Sequence, residues 1–325
     1  MDISFILDDL NDAQRSAVTA EDTHALILAG AGSGKTRVLV HRIAWLTQVM
    51  NLSPYNVMAV TFTNKAANEM RGRIESLIGH QAMGLTMGTF HGLAYRILRQ
   101  HHQEAGLAKD FQILDADDQK RVVKRLLKAM ELDESQWPHK QMVAFINGEK
   151  EEGRRPHHID VGHNPFVAKM VQVYKAYEEQ CQRSGLVDFA ELLLRAHELW
   201  LKNPAVLGHY QARFKHILID EFQDTNSLQY AWLRVLAGAN GKLFVVGDDD
   251  QSIYGWRGAK VENIRQFDQD FADVKTVRLE QNYRSTETIL KAANGLIANN
   301  TSRMGKELWS AGESGDLIKI YEAFN

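Results

Sequence analysis

AGAGSGKT, residues 29–36, follows the apolar run Ala25–Leu28 and leads into a segment with helical periodicity. Its three glycines allow the backbone to turn tightly, so that successive N–H groups can point at one anion. A helix that begins near Lys35 adds the positive end of its dipole. A strand, a glycine-rich loop and a helix in this order predict a phosphate-binding loop.

The loop departs from the usual pattern at one position, because Ala29 stands where that pattern has glycine. Every phosphate-facing position is intact, so Lys35 can supply positive charge to the β- and γ-phosphates and the Thr36 hydroxyl can bind Mg²⁺. The alternative is a plain glycine-rich turn before a helix, whereas a dinucleotide-binding loop would need a GxGxxG spacing that is not met. The predicted phosphate-binding residues are Ala29, Gly30, Ala31, Gly32, Ser33, Gly34, Lys35 and Thr36.

A second stretch, ILIDEFQD at residues 217–224, ends an apolar strand with two acids. The carboxyl end of a parallel strand is the edge at which such sheets bind ligands. Asp220 is placed to hold Mg²⁺, commonly through water, and Glu221 is then the natural general base for the water that attacks the γ-phosphate. Adjacent acids alone are more often a solvated strand end, so this assignment depends on their pairing with the phosphate loop.

Short apolar runs recur along the chain, and several are continuous rather than alternating, as in strands buried on both faces of a parallel sheet. Helical periodicity follows many of them, for example over Lys65–Leu77, which begins near the good N-cap residue Asn64. This alternation predicts an open, doubly wound α/β domain with a parallel sheet and flanking helices. The predicted strands are Ala25–Leu28, Val57–Phe62, Leu85–Thr89, His216–Ile219, Leu243–Val246 and Thr276–Leu279.

The stretch from residue 91 to residue 186 has a different pattern. Asp115–Met130 reads as a capped amphipathic helix, and a similar apolar spacing returns in the segment that contains Tyr174 and Tyr177. No convincing strand separates them, so we predict an all-helical insertion into the α/β domain. Nearer the end of the chain, the pattern predicts a helix over Thr286–Asn299 and a strand-like run over Leu317–Tyr321.

The composition is that of an ordinary soluble protein, with 44% hydrophobic and 24% charged residues in a chain of 325. The net charge of −3 means that any nucleic acid must be bound by a local groove rather than by a polycationic surface. Cys181 is the only cysteine, which excludes a disulfide framework and fits a reducing cytoplasm. The sequence shows neither a signal peptide nor an apolar window of the ~18 residues that a membrane span needs. We therefore expect a cytoplasmic protein with no membrane partner.

Several stretches, ordered between Leu10 and Thr286, resemble the motifs of the superfamily 1 DNA helicases of the UvrD/Rep/PcrA group. They are LNDAQ (10–14), AGAGSGKT (29–36), VTFTNKAA (60–67), GTFH (88–91), GLVDF (185–189), DEFQD (220–224), VGDDDQSIYGWR (246–257) and QNYRST (281–286). The resemblance is to the N-terminal half of that family and implies a RecA-like P-loop NTPase domain with ATP and Mg²⁺ as cofactors.

The resemblance also implies roles for single residues around the nucleotide. Gln14 would recognise adenine, while Arg37 and Tyr283 would pack against the base, as their planar groups allow. Gln251 would link the γ-phosphate to a DNA-binding segment, and Arg284 would act as an arginine finger. The catalytic residues predicted in this way are Lys35, Asp220, Glu221, Gln251 and Arg284, with Thr36 and Asp220 as the Mg²⁺ ligands.

A single-stranded DNA track is implied by the same motifs. Tyr254, Trp256 and Arg257 lie in a glycine-bracketed loop beyond a strand end, where large aromatic side chains can stack on bases. For His91 a buried, hydrogen-bonded histidine is the open alternative. The paired histidines elsewhere lack partners at metal spacing and are expected on the surface. The predicted DNA contacts are Phe62, Thr63, Thr89, His91, Tyr254, Trp256 and Arg257.

The resemblance implies an ATP-dependent helicase that moves 3′-to-5′ on single strands, unwinds duplex junctions and works with excision and mismatch repair proteins. It divides the chain into a RecA-like domain (1–90 and 187–280), a helical insertion (91–186) and the beginning of a second RecA-like domain (281–325). Since the motifs that complete the second domain are absent, we expect this segment alone to bind nucleotide weakly and to unwind little.

Two other functions remain open at this point. A non-catalytic ATP- and DNA-binding module would share the motifs but would lack turnover because half of the cleft is missing. A helicase subunit of a nuclease complex would also share them and would differ in domains outside this chain.

Overall fold

The structure, a computed structural model, describes residues 3–301 and 303–322. Its strands are β1 (Ala25–Ala29), β2 (Val57–Thr61), β3 (Thr86–Thr89), β4 (Gln112–Leu114), β5 (Leu186–Asp188), β6 (His216–Ile219), β7 (Lys242–Gly247) and β8 (Lys275–Leu279). Its helices are α1 (Ser4–Leu7), α2 (Asp12–Val18), α3 (Lys35–Gln48), α4 (Asn64–Ile78), α5 (Phe90–Gln100), α6 (Ala116–Ala129), α7 (His139–Glu151), α8 (Pro165–Ser184), α9 (Phe189–Lys202), α10 (Pro204–Arg213), α11 (Ser227–Ala237), α12 (Glu262–Asp270) and α13 (Glu287–Ile297).

Six strands form one sheet in the order β3-β2-β6-β7-β1-β8. The pairs β1/β7, β1/β8, β2/β6 and β6/β7 are parallel, and Ile27 of β1 lies opposite Val246 of β7. The predicted α/β class with a parallel sheet flanked by helices is confirmed, and the six strands predicted for this sheet are present with ends shifted by at most one residue.

The continuous apolar runs form strands because both faces of the sheet are covered. Every residue of β1, β2 and β6 is buried. Their side chains join one hydrophobic core with residues from helices α3 and α4, such as Leu39, Ile43 and Met70. Because β1 and β6 both pair in parallel with β7, their carboxyl ends lie at the same edge of the sheet, where the phosphate loop and the acid pair begin.

The chain divides into two compact units. The sheet unit comprises residues 1–88, 213–225 and 237–325, and the helical unit comprises residues 89–212 and 226–236. These units do not coincide with the domain limits implied by the sequence resemblance, which stay a prediction.

The helical unit has its own core, and it is not all-helical as the sequence suggested. Strands β4 and β5 pair in parallel, with Ile113 opposite Val187. A strand of three residues with two of them exposed offers no apolar run to detect, which explains the wrong expectation. Tyr174, Tyr177 and Cys181 of α8 pack in this core against α6 and α7.

Three smaller expectations concern the ends of elements. The N-cap of α4 is Thr63 rather than Asn64, because the Thr63 hydroxyl accepts a hydrogen bond from the Ala66 N–H. The helix expected over Thr286–Asn299 is α13, which is shorter at both ends. The strand-like run Leu317–Tyr321 forms no strand, and its side chains lie mostly in solvent, without the buried face that would favour pairing.

None of the helices in the described part of the chain combines the length and the apolar character that a bilayer-spanning helix needs.

Candidate nucleotide site

The phosphate loop lies between β1 and α3 and has the backbone conformation that its glycines allow. Gly32 has a φ of 69° and Gly34, the N-cap of α3, a φ of 91°, both in the left-handed region. Ser33 folds back on the loop, since its N–H and its hydroxyl both donate to the Gly30 carbonyl, at 3.2 and 2.8 Å. The loop leads directly into α3 at Lys35, and the N-terminus of a helix in this position is a ready anion-binding site.

The acid pair follows β6, and one strand, β7, separates β6 from β1. Asp220 is buried, and Glu221 is half-exposed with a φ of 51°. A non-glycine residue in this region costs about 1–3 kcal/mol and is found most often at functional sites. Lys35 Nζ donates to Glu221 Oε2 at 2.8 Å, so the loop and the acid pair form one site.

The electrostatics of this site fit a divalent cation. Burial and the nearby charge of Glu221 raise the pKa of Asp220 to about 6, although Lys35 opposes the shift. The same causes raise the pKa of Asp224 to about 6, and its Oδ1 atom is buried without a hydrogen-bond partner among the described residues. Carboxylate oxygens short of positive charge, together with a hydroxyl at Thr36, are the donor set that Mg²⁺ prefers.

Gln223, to which the sequence analysis gave no role, connects the acid pair to the loop after β7. Its side chain is buried, and its Nε2 donates to Glu221 Oε2 at 2.8 Å. Its Oε1 accepts a hydrogen bond from the Asp248 N–H at 2.9 Å. Gln251, the predicted phosphate sensor, donates to Asp248 Oδ2. A chain of hydrogen bonds thus runs from Lys35 to Gln251.

Two of the predicted base contacts lie on the exposed side of the phosphate loop. Tyr283 is exposed, its N–H donates to the Gly32 carbonyl at 2.9 Å, and its hydroxyl accepts from Asn11 Nδ2 at 2.8 Å. Arg37 is exposed and donates to the Asp9 carbonyl. Both side chains are accessible from solvent, and their contact with a base stays a prediction.

Gln14 is fully buried and already hydrogen-bonded. Its Nε2 donates to the Ser33 carbonyl at 2.8 Å, and its Oε1 accepts from the Asn11 N–H in the capping box of α2. The amide therefore supports the phosphate loop in this structure, and adenine recognition by Gln14 stays a prediction.

The segment after β8 lies against the phosphate loop through Asn282, a second residue that the sequence analysis missed. Asn282 Nδ2 donates to the Ala31 carbonyl at 2.5 Å, and its Oδ1 accepts from the N–H groups of Arg284 and Ser285. Arg284 is exposed, and its Cβ is so close to Gly32 that a Cβ on that glycine would lie 2.7 Å away. The predicted arginine finger is thus anchored at the loop by its backbone.

Four predicted DNA contacts form an aromatic surface in the sheet unit. Phe62 and Tyr254 are stacked with ring centroids 5.6 Å apart, and Tyr254 lies 6.4 Å from Trp256. The Arg257 guanidinium lies 5.0 Å from the centre of the Trp256 ring. Trp256 is 78% exposed, which argues against core packing as its role.

The other predicted DNA contacts have defined structural roles. The Thr63 hydroxyl caps α4, and in the helical unit the Thr89 hydroxyl caps α5 by accepting from the Gly92 N–H. His91 is partly buried with its ring edge-on to Phe189, and burial lowers its pKa. Their part in binding DNA stays a prediction.

The chain is similar to known proteins over its whole length. Residues 10–272 match the family model of the UvrD/REP helicase N-terminal domain, and residues 277–325 match that of the UvrD-like helicase C-terminal domain. DNA helicase II of Escherichia coli is 63% identical over all 325 residues, which span 45% of that protein. ATP-dependent DNA helicase PcrA of Staphylococcus epidermidis is 44% identical over 319 residues, which cover 98% of this chain and 44% of that protein.

The chain therefore spans less than half the length of these relatives. The match to the N-terminal family model covers the phosphate loop, the acid pair and the aromatic loop, and the second match begins within β8. This chain belongs to the UvrD/REP helicase family.

Proposed function

We propose that this chain is the ATP-hydrolysing, single-strand-binding part of an ATP-dependent 3′–5′ DNA helicase that acts in excision and mismatch repair. One observation carries the proposal. Lys35 of the phosphate loop contacts Glu221 at 2.8 Å, and Gln223 forms hydrogen bonds both to Glu221 and to Asp248, which begins the loop that bears Tyr254 and Trp256. A phosphate site and an aromatic surface joined in this way suit a motor in which nucleotide and DNA sense each other.

The protein groups at the site have separable tasks. The N–H groups at the start of α3 and the Lys35 ammonium would hold and orient the phosphates, while Thr36 and Asp220 would hold Mg²⁺. ATP with Mg²⁺ would supply the bond to be broken and a metal that neutralises its charge. Glu221 would take the proton from the attacking water. Because Gln223 also donates to Glu221, this carboxylate stays held when Lys35 turns to a phosphate.

The DNA would be held without reading its sequence. Each base stacked on an aromatic side chain contributes about 1–3 kcal/mol, and every base has a face that can stack. Trp256 with Arg257, and Phe62 with Tyr254, offer such surfaces. Single strands and duplex junctions are thus the proposed substrates, repair proteins the proposed partners and the cytoplasm the proposed location.

A matched pair of variants tests hydrolysis. ATP turnover is measured with and without a single-stranded oligonucleotide for the wild-type chain, Glu221→Gln and the exposed control Glu69→Gln. We expect DNA to stimulate the wild type and Glu69→Gln, and Glu221→Gln to lose about 10²- to 10⁴-fold in turnover, as for removal of a general base.

Equal background turnover in all three proteins would contradict this function and support a non-catalytic module. Unwinding is a separate measurement: we expect little strand separation by this chain alone, because the relatives it matches are more than twice as long. Processive unwinding by the purified chain would refute that expectation. A helicase subunit of a nuclease complex would give the same ATPase result and is distinguished only with the remaining domains present.

A further inference from the structure

The turn after β7 concentrates negative charge. Asp248, Asp249 and Asp250 place their carboxylate oxygens within 4.8 Å of one another, and Asp248 is buried. Three like charges at this distance repel, and partial burial strengthens the repulsion because less water screens it. The turn therefore needs a counter-charge to keep this conformation.

Lys306 supplies that charge from a distant part of the chain. Its Nζ lies 2.6 Å from Asp248 Oδ1, 2.7 Å from Asp249 Oδ1 and 2.8 Å from Asp250 Oδ2, which occupies all three ammonium donors. The side chain is 2% exposed. Burial alone would lower the pKa of Lys306, but the three carboxylates outweigh burial and raise it.

Neighbours of Lys306 hold the same turn. Arg303 makes two hydrogen bonds of 2.8 Å to the two carboxylate oxygens of Asp250, and the Met304 N–H donates to Asp249 Oδ2 at 2.7 Å. Each aspartate thus has a partner in residues 303–306, yet Lys306 alone contacts all three.

The position of Asp248 determines how Gln223 meets Glu221. Because the Asp248 N–H donates to Gln223 Oε1, the amide is oriented with its Nε2 toward Glu221 Oε2, 2.8 Å away. If the turn moved, the amide could rotate and present its oxygen to the carboxylate, which would repel it. Glu221 would then be held by Lys35 alone, the group that must also serve the phosphates.

We propose that Lys306 is a positioning residue for the general base: it clamps the 248–250 turn, and the turn orients Gln223 so that its amide holds Glu221. This inference rests on the proposed hydrolysis for its kinetic consequence, but its structural part stands on the contacts alone. Lys306 touches neither the acid pair nor the phosphate loop, so its effect on turnover would be indirect.

The test compares Lys306→Met, which keeps most of the length of the unbranched side chain and removes the charge, with Lys306→Arg and with the exposed control Lys291→Met. Hydrogen exchange is followed in peptides that span residues 219–225 and 246–252, alongside ATP turnover and the affinity for a fluorescent ATP analogue. We expect faster exchange of both peptides in Lys306→Met, and a turnover reduced by about ten- to a hundredfold, the cost of a misplaced catalytic group.

Analogue affinity should change far less than turnover, since the phosphate loop itself is untouched. Adding Asp249→Asn to Lys306→Met should restore part of the protection and part of the turnover, because it removes one of the repelling charges. If Lys306 contributed only to overall stability, Asp249→Asn would restore neither protection nor turnover, and analogue affinity and turnover would fall together.

Unchanged exchange at residues 219–225 in a folded Lys306→Met protein would overturn the inference. If Lys306→Met does not fold, Gln223→Met decides instead: it should lower turnover and deprotect residues 219–225, while in residues 246–252 only the Asp248 N–H, which loses its acceptor, should exchange faster. Normal turnover with normal protection would count against the proposal. Absence of DNA-stimulated turnover in the wild type would refute the proposed function, and the exchange experiment would still decide the role of Lys306.

Discussion

Single side chains at the site serve the fold and the proposed chemistry together. Gln14 supports the phosphate loop through a hydrogen bond to the Ser33 carbonyl. Thr63, one of the predicted DNA contacts, also caps helix α4. Substitution of such residues would change stability as well as binding. Trp256 is different, because its ring is mostly in solvent and lies near the Tyr254 ring and the Arg257 guanidinium.

Trp256→Ala therefore provides a clean test of DNA binding at the residue scale. We expect the variant to lose about 1–3 kcal/mol of affinity for a single-stranded oligonucleotide, the value of one stacked base, with no change in thermal stability. Fluorescence anisotropy of a labelled oligonucleotide measures the affinity.

The matched control for Trp256 is Tyr321→Ala, which removes an equally exposed aromatic ring outside the aromatic surface. Equal affinities of the two variants would show that Trp256 does not stack on DNA. A Trp256→Phe variant should keep most of the affinity, since stacking needs a ring rather than the indole N–H.

At the scale of elements, Asp188 of the GLVDF motif belongs to an ion network within the helical unit. Lys150 of α7 lies 2.6 Å from Asp188 Oδ2 at the end of β5 and 3.0 Å from Glu191 Oε2 of α9. Tyr177 of α8 donates to the same Asp188 oxygen at 2.8 Å. Arg155 adds a second cation, with bonds to both oxygens of Glu191.

Substitution of Lys150 tests this network. Burial would lower its pKa, but Asp188 and Glu191 raise it, so it is charged when folded. We expect Lys150→Met to reduce the free energy of unfolding by about 3–5 kcal/mol, because it leaves buried carboxylates without their cation. Urea denaturation measures the loss.

Lys140→Met, on the exposed side of the same helix, is the control and should be near neutral. Arg195 also contacts this network, with Nη2 lying 2.7 Å from Glu191 Oε1. A loss below about 1 kcal/mol for Lys150→Met would mean that Arg155 and Arg195 suffice to balance the acids. This network would then not explain why Asp188 stands in the GLVDF motif.

At the scale of the whole molecule, titratable groups lie at both ends of the strands of the central sheet, and their pKa values are shifted in opposite directions. The carboxyl edge has Asp220 and Asp224, whose pKa values are raised to about 6. The opposite edge has His24 and His216, whose pKa values are lowered to about 4, mainly by burial, with Lys242 and Arg42 adding to the shifts and Asp22 opposing them.

These pKa shifts predict that the histidines and the aspartates change the free energy of unfolding in opposite directions as the pH is lowered. Each histidine binds a proton more readily when unfolded, so its contribution is complete above pH 6.5 and is lost as the pH falls to about 4. The two aspartates bind protons more readily when folded, so below about pH 6 they favour the folded state. A single stability curve therefore mixes both effects.

The difference in urea midpoint between the wild type and His24→Gln separates the effect of the histidine from that of the aspartates. As the pH is lowered from 6.5 to about 4, we expect the urea midpoint of the wild type to fall relative to that of the variant, because the variant has no buried imidazole to protonate. The glutamine oxygen can still accept the hydrogen bond that the Leu243 N–H donates to His24 Nδ1. His80→Gln, at an exposed position, should run parallel to the wild type, and a parallel course for His24→Gln would contradict the assignment.

Local patterns were enough to predict most of the sheet and the centre of the site. Continuous apolar runs indicated β1, β2 and β6 because strands buried on both faces need them, and the glycine loop indicated its own turn. Strand β4 was missed because it has three residues and only one of them, Leu114, is buried. The role of Gln223 was missed although it lies in the DEFQD motif, because its contact with Asp248 depends on the fold, and Lys306 was missed because it lies in none of the motifs.

The sequence by itself therefore determined the α/β class, the phosphate loop and the acid pair, since each depends on residues that are neighbours in the chain. Only the tertiary structure decided what surrounds Glu221. Gln223 reaches Asp248 across 25 positions, and Lys306 reaches the acid turn across 57 positions from Asp249. Such contacts exist because the parallel sheet brings the ends of distant strands to one edge, a geometry that no short stretch of sequence encodes.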